Sequence, residues 1–128
     1  MKALCVKPMA SPVVVDVEHN LSTLQSLVGG TVQAIYPWDD DVAILCDDEG
    51  KLKGYVFNRV LETESGEIYD IIAGNFLIVG LVEDSFGSLS AEQIVKYRKK
   101  FLEPEFFAKN SDGDLVLYRH GSKGRRIA

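Results

Sequence analysis

Histidine and cysteine are the side chains that most often bind transition metals, and this sequence has two of each. His19 and His120 lie far apart in the chain, while Cys5 and Cys46 each lie inside an apolar run. A structural zinc site uses four such ligands, usually in closely spaced pairs such as C-x-x-C, and no such pair is present. The sequence therefore predicts no zinc site, and it favours two buried, reduced thiols over a disulfide.

Carboxylates cluster at two predicted turns, residues 39–41 and 47–49, where they could bind calcium or magnesium. The favoured alternative is that aspartate is common in turns and that acidic turns discourage edge-to-edge pairing of strands. The stretch 110–114 has the composition of a calcium loop, but it lacks the order of ligands and the terminal glutamate. We therefore predict no metal site.

Signatures of catalysis and of cofactor binding are absent from the sequence. There is no G-x-S-x-G turn, P-loop or dinucleotide fingerprint, and Gly29-Gly30 follows a predicted helix instead of opening one. Carboxylates such as Glu67 and Asp70 could still be brought together by folding into a dispersed site. The sequence leans against an enzyme and predicts no cofactor.

Three polar residues beside apolar runs are candidates for ligand binding. Asn58 and Arg59 lie between two apolar runs, and Asn75 is the polar residue at the start of the longest one. An arginine fork with a nearby amide can recognise a planar or phosphorylated ligand. The alternative is a buried, hydrogen-bonded asparagine and a surface salt bridge made by Arg59.

Tyr36 and Trp38 flank Pro37 beside a predicted turn. Exposed aromatic rings there would suit stacking or an oligomer interface, since such rings contribute strongly to binding. A role in the core is the favoured interpretation.

The fold that must position these side chains is organised by residues 68–82. Of these fifteen residues, twelve are apolar or glycine, and residues 76–79 do not alternate between apolar and polar. Such a run predicts a central strand that is buried on both faces. Gly74 divides the run, which predicts a bend between a short strand at 68–72 and a main strand at 75–82.

The remaining patterns predict two helices and further strands. The first helix has Asn20 as its N-cap and Gly29 at its end, and the second opens with a capping box formed by Ser90 and Gln93. Strands are predicted at 2–6, 13–17, 31–36, 42–46, 52–57 and 115–118, with hairpin-like turns at 39–41 and 47–50. The predicted fold class is α+β, with a mixed, mostly antiparallel sheet of about five to seven strands.

Length and charge favour one domain with a basic end. The chain has 128 residues and a net charge of −5, and we assign 1–118 to a globular domain and 119–128 to a mobile, basic C-terminal tail. Residues 1–105 carry 9 basic and 17 acidic side chains, which argues against general binding of nucleic acid. No signal peptide or membrane-spanning run is recognised, so we expect a cytoplasmic protein without membrane contact.

Several blocks of the sequence, in order, resemble a known family. They are L-x-x-L-x-x-L-V-G-G, D-D-D-V-A-I-L-C-D-D-E-G-K-L, N-R-V-L and G-E-I-Y-D-I-I-A-G-N-F-L-I-V-G-L. Over roughly residues 1–105 the chain resembles the family catalogued as domain of unknown function 3846. The resemblance implies a setting in phages, plasmids or other mobile elements, no established enzyme activity, and no catalytic residues to carry over.

Three hypotheses about function follow. The first is a non-catalytic mobile-element protein that sequesters a nucleotide-derived signal in counter-defence, similar in size and class to the anti-Thoeris sponges of phages. Its ligand would be bound by Asn58, Asn75 and the basic residues Arg59, Lys96, Lys100, Arg119 and Arg125. The second is a protein-interaction module that uses an acidic surface or a free strand edge, and the third is an enzyme with a dispersed site. A homo-oligomer suits the first two, because valine-rich sheet edges gain from being covered.

Overall fold

An antiparallel sheet with one helix on each face forms the centre of the protein. The computed structural model describes residues 1–121 and 123–128. Its elements are β1 (Lys2–Val6), β2 (Val13–Asp16), α1 (Leu21–Val28), β3 (Val32–Ile35), β4 (Val42–Asp47), β5 (Phe57–Glu62), β6 (Ile68–Ala73), β7 (Phe76–Val82), β8 (Ser85–Gly87), α2 (Ala91–Lys100), β9 (Glu105–Lys109), β10 (Leu115–Arg119) and β11 (Arg125–Arg126). The main sheet has the order β2-β1-β7-β4-β3, with β8 paired to the end of β7. The predicted α+β class, as a mainly β single domain, is confirmed.

The predicted central strand is β7. It pairs antiparallel with β1 on one side and with β4 on the other. Ile78 lies opposite Leu4 in β1 and Ile44 in β4, so apolar side chains form a row across three strands. Residues 76–80 are buried. The run does not alternate because both faces of β7 are covered.

Each face of the main sheet has its own core cluster, since successive side chains of a strand point to opposite sides. Helix α1 covers one face through Leu24 and Val28, which pack with Ala3, Cys5, Ala43, Leu45, Leu77 and Val79. Helix α2 and the β5–β6 pair cover the other face, where Leu61, Ile72, Tyr97 and Phe101 pack with Leu4, Val6, Val42, Ile44, Phe76 and Ile78.

Both helices are capped as the sequence predicts. The Asn20 side chain accepts a hydrogen bond from the N–H of Thr23, and Gly29 closes α1 with a φ of +96°. Ser90 and Gln93 form the reciprocal capping box of α2. These contacts are local, which is why residue order alone was sufficient to predict them.

Gly74 is the bend between β6 and β7, as predicted. Its φ is +82°, and a Cβ atom there would lie 2.6 Å from the ring of Tyr55. Its N–H donates to the carbonyl of Val56 at 2.8 Å. The chain therefore leaves the small β5–β6 sheet and enters the main sheet at a position that only glycine occupies without strain.

The predicted strand at 52–57 is wrong, and so is the hairpin-like connection at 47–50. Residues 48–54 form turns, and β5 begins only at Phe57 and pairs with β6 instead of β4. The Asp47 carboxylate accepts hydrogen bonds from the N–H of Glu49 at 2.9 Å and from Lys53 Nζ at 2.7 Å. These local bonds stabilise a compact turn in a stretch whose composition resembled a strand.

The C-terminal residues also differ from the predicted mobile tail. Arg119 ends β10, and β11 pairs with β10 so that Arg126 lies opposite Val116. Beyond β11, the N–H of Ile127 donates to the carbonyl of Leu115 at 2.9 Å. Together β9, β10 and β11 form a separate three-stranded sheet. We predicted neither β8, β9 nor β11. β8 and β11 have only three and two residues, too few to show a pattern, and β9 contains the charged residues Glu105 and Lys109 at its ends.

Cys5 and Cys46 are buried and not bonded to each other. Burial, with a smaller contribution from nearby aspartates, raises the pKa of the Cys46 thiol to about 11, so it remains protonated at neutral pH. In the part of the chain that the structure describes, no helix is long and apolar enough to cross a membrane.

Candidate functional site

Arg59 lies in the core, where sequence reasoning had placed it either in a binding site or in a surface salt bridge. It is 1% exposed and donates five hydrogen bonds of 2.6–3.3 Å, to the carbonyls of Ala10, Asn58 and Phe101 and to the Asn58 side chain. A guanidinium has five N–H donors, so none is left for a ligand. Burial lowers the pKa of Arg59, although Glu105 opposes this shift. The predicted surface salt bridge is therefore wrong.

The two asparagine candidates also bind backbone. Asn58 is fully buried, and its Nδ2 donates to the carbonyls of Val6 and Gly74 at 2.9 and 2.8 Å. Asn58 is therefore the buried, hydrogen-bonded asparagine expected from the sequence as the alternative to a ligand-binding residue. Asn75 is half-buried, and its Nδ2 lies 3.5 Å from the carbonyl of Leu27 at the end of α1. Both side chains join segments that are distant in sequence.

Arg119 and Arg125 hold the C-terminal sheet against the β5–β6 pair. Arg119 donates to Glu62 and, through Nε at 2.5 Å, to Glu105. Glu105 is 7% exposed and also accepts the N–H of Val60 at 2.8 Å. Arg125 lies 3.8 Å from Glu62. Although burial lowers the pKa of Arg119, its bonds to Glu105 and Glu62 raise the pKa overall.

Lys96 and Lys100 lie on the outer face of α2. Lys96 Nζ is 3.6 Å from Asp40, and Lys100 Nζ is 5.6 Å from the centre of the Trp38 ring. The hydroxyl of Tyr97 donates to Asp40 at 2.5 Å, and this bond lowers the pKa of the Asp40 carboxyl. Lys96 therefore lies beside a carboxylate that partly compensates its charge, whereas Lys100 lies beside a neutral aromatic ring.

One cavity brings together three of the predicted basic residues, but it is not an anion site. The cavity has a volume of about 260 Å³, and Arg59, Lys100 and Arg119 contribute to its wall. The same wall contains Glu62, Glu64, Glu103 and Glu105. Carboxylates outnumber cations there, which disfavours phosphate. Lys96, Asn75 and Arg125 lie outside this wall.

A different groove, with a volume of about 630 Å³, lies at one end of the main sheet. We call it the acidic groove. It forms where the segments that follow β2 and β3, the start of β4 and the β7–β8 turn meet. Its lining combines aromatic rings with carboxylates and contains no lysine or arginine: His19, Tyr36, Asp41, Leu81, Glu83, Asp84, Ser85 and Phe86.

The walls of the acidic groove are anchored in the fold. Leu81 and Phe86 pack against the core cluster on the α1 side of the sheet. The carbonyl of Asp41 accepts the N–H of Leu81 at 2.9 Å. The rings of His19 and Phe86 lie 6.5 Å apart, centre to centre, while Tyr36 is 59% exposed. The groove therefore has a fixed apolar base and an exposed aromatic rim.

Three carboxylates of the groove have no cationic partner among the described residues. Asp41, Glu83 and Asp84 are exposed and make no ion pair, in contrast to Asp40, Glu62 and Glu105, which each bind a lysine or arginine. Among the described residues, the groove wall contains no lysine or arginine to offset them. This end of the protein consequently has a negative potential that a cation would reduce.

The backbone of the β7–β8 turn is strained where two of these carboxylates lie. Val82 pairs with Ser85, which leaves Glu83 and Asp84 as a two-residue turn with φ values of +50° and +63°. Turns of this kind favour asparagine, aspartate and glycine, because a positive φ is unfavourable for most other residues, including glutamate. Non-glycine residues in such conformations occur often at functional sites. The conformation of Glu83 thus carries a conformational cost, and that of Asp84 a smaller one.

Sequence reasoning missed most of the acidic groove. Tyr36 and the acidic turn 39–41 were singled out. The favoured core role is wrong for Tyr36, which is exposed, whereas its neighbour Trp38 stacks on Tyr97 at 4.7 Å and has that role. The one local signal was the polar stretch 83–85 between Val82 and Phe86, which marks a tight hairpin. Nothing local places Asp41 beside that hairpin.

The described residues contain no group of three or more histidine, cysteine or acidic side chains arranged to hold a metal ion. The acidic turn at 47–49 instead has Asp47 bound to Lys53 at 2.7 Å. Glu67 and Asp70, the suggested dispersed pair, line separate cavities, and Asp70 lies 2.7 Å from Lys51.

Comparison with known proteins gives a family but no activity. The model of the family Domain of unknown function (DUF3846) matches residues 1–102, which end just before the three-stranded C-terminal sheet. No curated protein and no solved structure matches the chain. Because the match covers most of the chain, including the whole main sheet and both helices, this protein belongs to the DUF3846 family.

Proposed function

We propose that this protein is a non-catalytic accessory protein of a phage or other mobile element, and that it binds a basic segment of a partner protein in the acidic groove. The observation that carries this proposal is the groove wall, in which aromatic rings and three unpaired carboxylates occur without a lysine or arginine. The mobile-element setting rests on the family resemblance.

The chemistry of the groove selects a segment with several cations. An exposed ion pair contributes only about 0.2–1 kcal/mol, and a cation over an exposed tyrosine ring contributes about 0.5–1 kcal/mol. One lysine or arginine would therefore bind too weakly to be useful, whereas two or three along one segment could reach Tyr36, Asp41 and the turn together. The net charge of −5 would also speed the encounter with a basic partner.

Sequestration of a nucleotide-derived signal receives less support from the geometry. Of its proposed basic residues, Arg59 is saturated by backbone carbonyls, while Arg119, Arg125 and Lys96 already lie beside carboxylates. A phosphate would have to displace these carboxylates. The protein-interaction hypothesis is therefore the one that we develop.

The test is a titration of ¹⁵N-labelled protein with a hexa-arginine peptide, followed by NMR. We expect amide shifts to concentrate at positions 19, 36, 41 and 81–86, and hexa-glutamate to produce none. The triple variant Asp41→Asn/Glu83→Gln/Asp84→Asn should bind hexa-arginine about tenfold more weakly, since three exposed pairs at about 0.5 kcal/mol each are lost.

The matched control is Glu49→Gln/Glu64→Gln/Glu67→Gln. It changes the net charge by the same amount, and its three side chains are exposed and lie outside the acidic groove. We expect it to weaken binding no more than about twofold, through long-range charge alone. Equal weakening by the two triple variants, or shifts spread over the whole acidic surface, would contradict the proposal.

A further inference from the structure

The edge strand β2 has an unpaired side. Among the described strands it pairs only with β1, and it forms one end of the main sheet. Val13 is 58% exposed and Val14 is 40% exposed. No β2 residue lines the acidic groove, so this surface is separate from the one proposed above. An open edge with exposed valines can accept another strand.

The register with β1 shows which backbone groups are free. Met1 and Val17 exchange two hydrogen bonds, so they are a hydrogen-bonded pair of the antiparallel ladder. Along an antiparallel ladder, hydrogen-bonded and non-hydrogen-bonded pairs alternate. Val13 and Val15 are therefore hydrogen-bonded to β1. Val14 and Asp16 direct their N–H and C=O groups away from β1. The free edge therefore offers two donors and two acceptors, spaced two residues apart.

We propose that a second copy of this chain covers the edge, through antiparallel pairing of β2 with β2 about a two-fold axis at Val15. In this register Val14 lies opposite Asp16 of the second copy, and Asp16 lies opposite its Val14. Each of these pairs exchanges two hydrogen bonds, so all four free groups are satisfied in both copies. The five strands from β3 to β2 of one copy are then followed by the five strands from β2 to β3 of the second copy, which gives a sheet of ten strands.

The side chains of β2 suit this register. Val15 packs against the core cluster on the α1 side, and Val13 and Val17 lie on the same side of the strand. Across the axis Val15 would contact its own copy, and exposed Val13 would contact Val17. The apolar surface on the α1 side therefore becomes continuous between the two copies, which is the reason for preferring a second copy to an unrelated strand.

Charge does not oppose this arrangement at the axis. The Asp16 carboxylate lies 3.2 Å from the N-terminal ammonium and 3.9 Å from Lys2 Nζ, so it is already compensated. Each copy has a net charge of −5, so association should strengthen with added salt. A pairing of four-residue strands buries less than a standard interface, and we expect a dissociation constant of roughly 10–1000 μM.

The first test measures mass against concentration by sedimentation equilibrium of the full chain, with Val14→Pro and Val14→Thr compared. Proline removes only the outward N–H and is tolerated at strand edges, whereas threonine keeps that donor. The wild type and Val14→Thr should rise from 14.2 kDa towards twice that mass. Val14→Pro should stay at 14.2 kDa while keeping its far-UV circular dichroism. Wild type that stays monomeric up to about 1 mM, or folded Val14→Pro that dimerises equally, would overturn the proposal.

The second test fixes the register and does not require a proline variant. Two Val15 residues at the axis form a non-hydrogen-bonded pair with Cα atoms about 4.5 Å apart, within the range of a disulfide. Val15→Cys should therefore form a disulfide-linked dimer under mild oxidation. Two Val13 residues lie four positions apart along the strands, at roughly 13 Å, so Val13→Cys should remain largely monomeric. Equal or preferential cross-linking of Val13→Cys would exclude this register.

Discussion

At the scale of the residue, the polar groups near the core bind other parts of the chain. Tyr97 shows this most clearly, because it is 1% exposed and yet its hydroxyl reaches Asp40 at 2.5 Å. The bond links α2 to the turn between β3 and β4. It lowers the pKa of the Asp40 carboxyl, and burial together with this bond raises the pKa of the Tyr97 hydroxyl.

This bond predicts a pH dependence of stability. The pKa of Asp40 is lowered in the folded state, so its contribution is present above the ordinary value of 3.8 and is lost as the pH falls through the folded value. Tyr97→Phe should cost about 1–2 kcal/mol at pH 7, and the loss of stability between pH 5 and pH 2 should be shallower than in the wild type. Urea unfolding at several pH values measures both effects.

The control for this prediction is Tyr118→Phe, because Tyr118 is 42% exposed. We expect it to change stability by less than about 0.5 kcal/mol at every pH. If Tyr97→Phe lost stability between pH 5 and pH 2 as steeply as the wild type, the bond to Asp40 would not be the source of the lowered pKa.

At the scale of the element, the β7–β8 turn holds two non-glycine residues, Glu83 and Asp84, at positive φ. Replacing Glu83 by asparagine and Asp84 by glycine would supply the residues that a two-residue turn with positive φ favours. The double variant Glu83→Asn/Asp84→Gly should raise the free energy of unfolding by roughly 1–2 kcal/mol. It should also weaken binding of hexa-arginine.

Thermal or urea unfolding measures the first effect. Gly113, which also has a positive φ of +80°, offers a reverse control, since Gly113→Asn should be close to neutral and Gly113→Val should destabilise. A less stable double variant of the β7–β8 turn would mean that the strain inferred from its φ values is absent.

At the scale of the whole molecule, the C-terminal sheet is an addition to the part of the chain that the family model covers. It begins at Glu105, beyond the matched residues 1–102, and docks on the β5–β6 pair through Arg119, Glu62 and Glu105. The rings of Phe57 and Phe107 add an edge-on contact at 5.6 Å. Removing Arg119 would leave the buried Glu105 without its cation.

We predict that Arg119→Met destabilises the protein by about 3–5 kcal/mol, because the buried Glu105 loses its ion-pair partner. Hydrogen exchange should quicken in β9–β11 more than in β7. Arg126→Met is the matched control, since Arg126 is exposed and lies 3.7 Å from Asp114, and it should cost less than about 1 kcal/mol. Equal costs for the two variants would show that the buried pair does not fasten the C-terminal sheet.

The sequence by itself determined the features that depend on neighbours along the chain. The caps at Asn20 and Ser90, the bend at Gly74 and the central, doubly buried β7 follow from residue order, propensity and the lack of alternation. The resemblance of the ordered blocks likewise identified the family. These features could be predicted because the physical cause and the signal lie in the same short segment.

Only the tertiary structure decided where the polar groups find their partners. Arg59 bonds to carbonyls of Ala10 and Phe101, 49 and 42 residues away, and Asp41 and Glu83 line the same groove at the end of the sheet. Such pairings depend on the order and register of strands, which no local pattern encodes. Asn58, Arg59 and Arg119, three of the residues that sequence reasoning chose for binding, bond to distant parts of the chain, and the acidic groove is composed of residues that only the packed sheet brings into proximity.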